Sequence, residues 1–358
     1  MRVARIRHGA VEEVCDFKFT SRVSLSPRWM RTLPIEMTRK AEKVAKNRFV
    51  SRLPQIYNVP RICDGEICMR LAVCLTIRVL AAAMLGASAL GPPASAADLA
   101  PLPKVTSPRL YVFDCGTLVY NKPEDYNLRR DEVKDSNMGV TCYLVVHPRG
   151  MLIYDTGLND RLVGRPLYEN VLDGYAQIKF NTLSGQLADI GVTPANIDYL
   201  VLSHYHWDHV GNAGDFAGST WLVYKGDRDQ MFGSAARAYP WFSQYSALEK
   251  SKTMLLSGDH DVFGDGTVVV LATPGHTEGH CSLLVRLKNT GPVVLSGDLY
   301  HYAEERDLKR MPDEEKTTGT VESRQKVEEL LRRTGAQLWI GHSMEFFRTV
   351  RKSPAWYD

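Results

Sequence analysis

Three histidines and an aspartate fall within six positions of "SHYHWDHVGN": His204, His206, Asp208 and His209. Imidazole and carboxylate groups at this density are ligands for zinc and similar divalent ions, which at catalytic sites keep a position open for water. Water held there loses a proton near neutral pH, so the chemistry to expect is hydrolysis. His204 and His206 are two apart, and an extended backbone points them the same way. Asp208 and His209 follow where the chain is expected to turn into a helix, which aims them at a neighbouring position. The stretch offers ligands for two ions and completes neither.

Four apolar, strand-like runs supply the rest. "IDYLVLS" leads into His204, "TVVVLATPG" into His276, "PVVLSG" into Asp298 and "AQLWIG" into His342. Each ends at a Ser, Thr or Gly turn, and a metal-capable side chain follows at once. Loops at strand ends are where a rigid sheet presents polar groups to a shared site. Recurring four times, the pattern predicts convergence on one edge of the framework. His276 then completes a first ion with His204 and His206, and His342 a second with Asp208 and His209. Asp298 is the natural bridge, giving one oxygen to each ion, with a hydroxide shared between them. His147 and His260 read as ordinary core or surface histidines. His280 reads as a structural contact beside the site.

The elements that must hold these groups alternate between strands and helices, an α/β pattern. "RLYVFDCGTLVY" and "VTCYLVVHPRGMLIYDTG" read as β-hairpin material, with Pro148-Arg149-Gly150 as a turn. "GQLADIGVTPANI" has helical spacing and stops at Gly191 and Pro194. Of seven cysteines, Cys15, Cys63, Cys68 and Cys74 lie in the first hundred residues, while Cys115, Cys142 and Cys281 follow. Three scattered cysteines match no zinc spacing and no disulfide framework, so buried thiols are expected, with one disulfide open in an oxidising compartment.

The formal charge of +3 averages two unlike parts. Residues 1–96 hold 16 of the 44 Lys+Arg and 7 of the 41 Asp+Glu, a net +9, which leaves −6 for the remainder. An acidic main domain excludes a basic nucleic-acid surface. From Met69 the chain reads "MRLAVCLTIRVLAAAMLGASALGPPASAADLAPLP": an Arg, an apolar run and small residues at Ala94-Ser95-Ala96. That is the layout of a secretory signal peptide over 69–96, cleaved after Ala96, and it implies a periplasmic or secreted protein. A retained membrane anchor is the competing reading, but Arg78 interrupts the span. Residues 1–68 are expected to be an extension outside the native mature protein, and 97–358 the hydrolase domain.

"HYHWDH" has the form H-x-H-x-D-H and resembles the signature of the metallo-β-lactamase superfamily. "DTG" at 155–157, "TPGHTEGH" at 273–280, "SGD" at 296–298 and "GH" at 341–342 stand in that superfamily's order. The resemblance covers roughly 109–357. It implies a four-layer αββα sandwich with two mixed sheets inside, and makes Asp155 a carboxylate near the metals without being a ligand.

A bridging Asp298 speaks against the true β-lactamases, which lack that ligand, and suits thioesterases of the glyoxalase II kind, lactonases and some phosphodiesterases. "LYVFDCGTL" and the tail "FFRTVRKSPAWYD" resemble the N-acyl-homoserine lactonase branch. The resemblance implies a small-molecule lactone or ester substrate, no nucleic-acid partner and no stable membrane insertion after signal cleavage, and leaves a homodimer open. It also implies two divalent ions, zinc first, with iron, cobalt or manganese able to take the site. Opening of an acyl-homoserine lactone, and so interference with acyl-lactone signalling, is the function it implies. A thioesterase, or another hydrolase of the fold acting on β-lactams, is the alternative. Asp208 would orient the attacking hydroxide. Lactonases of this branch commonly carry a tyrosine three residues after the bridging aspartate, but here that position is His301, flanked by Tyr300 and Tyr302. Any of the three can donate a proton to the substrate. Met138, Trp207, Met231 and Phe232 are candidates for an apolar groove around an acyl chain.

Overall fold

All ten residues of Met138–His147 are buried. A strand buried on both faces needs protein above and below it. The computed structural model, which describes residues 104–166, 171–172 and 174–358, supplies both layers. The expectations placed on residues 1–96, the extension, the signal peptide and the four upstream cysteines, lie outside the described residues.

The first sheet contains β1 (Arg109–Val119), β2 (Met138–His147), β3 (Gly150–Tyr154), β4 (Val171–Leu172), β5 (Tyr175–Ile178), β6 (Tyr199–Val201), β7 (Thr220–Tyr224) and β8 (Thr253–Leu256). Their spatial order is β4-β5-β1-β2-β3-β6-β7-β8. The second sheet holds β9 (His260–Asp261), β10 (Val268–Ala272), β11 (Cys281–Leu287), β12 (Gly291–Leu295) and β13 (Gln337–Trp339), side by side in chain order. β14 (Trp356–Tyr357) returns to the first sheet beside β1. Both sheets are mixed: β3, β6, β7 and β8 pair in parallel, as do β12 and β13, while the hairpins are antiparallel.

Alternation along the strands builds the layers. Leu110, Val112, Tyr143, Val145, Leu152 and Tyr154 face Val268, Val270, Leu283, Val285, Val293 and Leu295 across the inter-sheet core. Their neighbours of opposite parity, Tyr111, Phe113, Cys142, Leu144 and Ile153, turn outward. There they meet Leu183 and Leu187 of α1 (Leu183–Ala188), Met231 of α2 (Lys225–Phe232) and Tyr245 of α3 (Phe242–Tyr245). On the far side α4 (Ala303–Leu308) precedes α5 (Thr320–Thr334), whose Val327 and Leu331 cover Leu284 and Val294. α6 (Met344–Thr349) is capped by Ser343, which accepts the Phe346 N–H. This is the expected αββα sandwich.

The β2–β3 hairpin turns at Pro148-Arg149, as read. Two expectations need correcting. No helix follows the histidine-rich motif; residues 203–212 are turns and bends, and only a 3-10 turn, Ala213–Phe216, comes after. The chain there is spent on tertiary bonds: the backbone N–H groups of Gly211 and Asn212 donate to Gly157 O at 2.8 Å and Thr156 Oγ1 at 3.2 Å, and the Asn212 side-chain amide donates to Thr156 O and Leu158 O at 2.7 and 2.8 Å. Nor are all three later cysteines thiols. Cys115 and Cys142 form a disulfide across β1 and β2, with Cα atoms 5.9 Å apart, while Cys281 is a buried free thiol. Among the described residues no helix is long and apolar enough to cross a membrane.

Candidate metal centre

The four strand ends deliver their side chains to one place. β6 runs into His204, β10 into His276, β12 into Asp298 and β13 into His342. Gly297 adopts φ +54°, and a Cβ there would lie 2.7 Å from His280 Nε2. Glycine thus lets the chain turn tightly enough for the Asp298 N–H to donate to that nitrogen at 3.0 Å.

Asp298 sits between two groups. Its Oδ2 is 3.6 Å from His204 Nε2 and 3.5 Å from His276 Nε2. Its Oδ1 is 3.2 Å from both His209 Nε2 and His342 Nε2. His206 Nδ1 lies 2.9 Å from His204 Nε2 and 3.1 Å from His276 Nε2. Asp208 Oδ2 lies 3.6 Å from His209 Nε2 and 3.4 Å from His342 Nε2. The sets His204/His206/His276/Asp298 and Asp208/His209/His342 each converge within 4.8 Å. Ligand atoms about 2.0–2.2 Å from a tetrahedral ion lie about 3.3–3.6 Å from one another, close to these separations. Asp298 Oδ1 and His209 Nε2 are buried and make no hydrogen bond, which in a core calls for a cation. The residues fit a pair of divalent ions.

The outer nitrogens of the imidazoles are already engaged. His209 Nδ1 faces Asp155 Oδ2 at 3.0 Å, His342 Nδ1 donates to Gly139 O at 2.7 Å, and His276 Nδ1 faces Glu315 Oε1 at 2.8 Å. Each contact leaves Nε2 pointing inward and fixes the ring. Burial holds His204 well below the usual imidazole range and brings His206 and His276 down to about 3, so these rings stay in the neutral form that binds metal. Burial alone would raise Asp298, but His209 and His342 outweigh it and keep the carboxyl well below its ordinary value. His280 acts as a support: Nδ1 donates to Thr273 O at 2.8 Å, and Nε2 accepts from Asp298. His147 stacks on Phe263 and pairs with Asp265, and His260 is a strand residue of β9, both away from the centre.

Glu315 was not legible as a site residue, because one Glu in "DEEKT" looks like any exposed charge. Glu315→Gln is expected to weaken metal binding about tenfold, since the amide is a poorer partner for the His276 N–H. Competition with a chelator of known affinity measures this, and an unchanged affinity would refute the role.

A cavity of about 360 Å³ opens on the centre, lined by His206, Asp208, His276, Asp298, His301 and His342 together with Leu118, Tyr126, Met138, Tyr175, Tyr205, Trp207, Tyr239 and Trp241. Met138 and Trp207 take the place expected of them. Met231 and Phe232 do not: Met231 is core, and the Phe232 ring packs on Trp221 at 6.0 Å. Of Tyr300, His301 and Tyr302 only His301 faces the cavity, its Nε2 3.3 Å from Asp298 Oδ2. The backbone at 300 and 302 is extended, so the flanking side chains point the other way. Tyr300 donates to Glu328 at 3.1 Å beneath the Arg324 guanidinium, and Tyr302 donates to Ser136 O at 2.8 Å. Both therefore lie outside the cavity. Glu305, also unforeseen, is fully buried and accepts the His301 N–H at 2.6 Å and the Tyr302 N–H at 3.0 Å, with Arg324 neutralising it at 2.9 Å.

Residues 136–335 match the metallo-beta-lactamase superfamily. The N-acyl homoserine lactonase AttM of Azorhizobium caulinodans is 30% identical over 269 residues, 71% of this chain and 100% of that protein. A solved structure of a Bacillus thuringiensis AiiA mutant, with N-decanoyl-L-homoserine at its active site, has the same fold: TM-score 0.60 at 22% identity, covering 70% of this chain and 100% of that one. AidC, described as a dizinc quorum-quenching lactonase, gives a TM-score of 0.51 at 18% identity over 73% and 98% of the two chains. With this geometry and these relatives, the chain belongs to the metallo-β-lactamase superfamily, in its N-acyl homoserine lactonase branch.

Proposed function

We propose that this protein is a dinuclear-metal hydrolase that opens the lactone ring of N-acyl homoserine lactones. The observation that carries the reading is Asp298, whose two oxygens face two separate ligand groups on a cavity wall. Zinc is the ion we assign, because five imidazoles and two carboxylates with no thiolate are a donor set that suits it. Bound divalent ions would supply Lewis acidity to the ester carbonyl and to a water molecule. His204, His206 and His276 would hold one ion and Asp208, His209 and His342 the other, with Asp298 shared. Asp208 orients the attacking water. His301, its backbone pinned by Glu305, presents Nε2 to the cavity and donates a proton to the leaving ring oxygen.

We also propose that the protein works outside the cytoplasm, in the periplasm or secreted. The Cys115–Cys142 disulfide supports this, since such bonds persist in oxidising compartments. The test is purified protein with its metal content measured, assayed on N-hexanoyl homoserine lactone, a glutathione thioester and a cephalosporin. Two zinc ions per chain and release of one proton per lactone opened are the expected results. Turnover of the thioester or the cephalosporin alone would overturn the assignment.

A further inference from the structure

Tyr126 and Tyr175 reach the cavity from separate parts of the chain. Tyr126 ends a 3-10 turn, Pro123–Tyr126, between β1 and β2, and Tyr175 opens β5. Their hydroxyl oxygens are 2.8 Å apart, and both residues line the cavity with Asp208, Asp298 and His301. Packing fixes both rings. Tyr126 lies 4.6 Å from the His301 imidazole, while Tyr175 stacks on Tyr120 at 4.0 Å and meets Trp207 edge-on at 5.8 Å.

A hydroxyl is donor and acceptor at once, so two hydroxyls joined by one hydrogen bond still present a proton and lone pairs to a ligand. That is the complement of a secondary amide, which carries one N–H and one C=O. The lactone carbonyl has its own partners at the Asp298 centre. In an N-acylated lactone the exocyclic amide is attached to the carbon next to that carbonyl, so it lies a few ångströms away. His301 contacts Asp298 on one side and Tyr126 on the other, which spans this interval. Position 301 carries no phenol in this chain, and the phenols are brought in from the β1–β2 loop and β5 instead.

We propose that the Tyr126–Tyr175 hydroxyl pair is the subsite for the exocyclic amide of the substrate, and that it selects N-acylated lactones over plain ones. The inference rests on the lactonase reading above. The experiment compares wild type with the Tyr126→Phe/Tyr175→Phe double variant on N-hexanoyl homoserine lactone and on an alkyl γ-lactone that lacks the amide. The double variant is expected to raise KM for the acylated lactone about tenfold. Its kcat, and kcat/KM for the plain lactone, should stay within about twofold of wild type. Equal losses on both substrates, or no change on either, would overturn the subsite while leaving the lactonase reading intact. A wild-type protein inactive on every lactone overturns both. Should the double variant be wholly inactive, the single variants decide by the same ratio of substrates, and a ratio equal to wild type in both refutes the proposal.

Discussion

Asp298→Ala is expected to lower kcat/KM on acylated lactones about a thousandfold and to cut bound metal from two ions per chain to one or none. The reason is geometric. Among the described residues no other carboxylate faces both ligand groups: Oδ1 lies 3.2 Å from His209 and His342, and Oδ2 lies 3.3–3.6 Å from His204, His276 and His301. Without it, His204, His206 and His276 keep an all-imidazole site, while Asp208, His209 and His342 lose their fourth donor. Five imidazoles in one buried cluster would also lose their main counter-charge. Asp298→Asn retains one carbonyl oxygen, so it should keep more of one ion than the alanine variant and still lose most activity. Metal analysis with kinetics on the same preparation is the check. An alanine variant with two ions and near-wild-type kcat/KM would rule out a bridging carboxylate.

The seven His and Asp positions could be read without coordinates because each stands immediately after an apolar strand or inside one dense motif. A strand end fixes where a side chain goes to within a few ångströms, and the sandwich then closes the distance between β6 in one sheet and β10, β12 and β13 in the other. The supports were harder to read. Glu315 reaches His276 across 39 residues, and Glu305 meets Arg324 from a neighbouring helix, contacts made by tertiary packing of elements whose sequences look like ordinary exposed segments. His301 shows a middle case. Its capacity to donate a proton was legible, but placing it on the cavity in preference to Tyr300 and Tyr302 required the extended backbone that sends alternate residues to opposite sides. Tyr126 and Tyr175 had no spacing to betray them, since one belongs to a loop turn and the other to an edge hairpin. The helix expected after His209 failed because Gly211 and Asn212 bond to the 156–158 segment, and nothing local announces that pairing.

Breaking the Cys115–Cys142 bond, by the paired substitution of both cysteines to alanine or by a dithiol reductant, is expected to lower stability by about 3.5 kcal/mol. That is what loop-closure entropy assigns to a crosslink spanning 27 residues. For a domain of this size the shift in Tm is about 10 °C. The crosslink ties β1 to β2, and the loop it closes carries Leu118, Tyr126 and Met138 into the substrate cavity. Loosening the loop should therefore raise KM before it lowers kcat, because the metal ligands lie outside the loop on other strands. The bond is also packed into the motif behind the centre: a Cβ at Gly157 would come within 2.2 Å of Cys115 Cβ and 2.9 Å of Cys142 Sγ, and Asp155, two residues earlier, holds His209. Scanning calorimetry with and without reductant, and mass mapping of the linked peptide, measure the effect. A Tm unmoved by reductant in protein shown to carry the link would mean that the β1–β2 pairing alone holds this edge of the cavity. In that case the alanine pair should match wild type in KM as well.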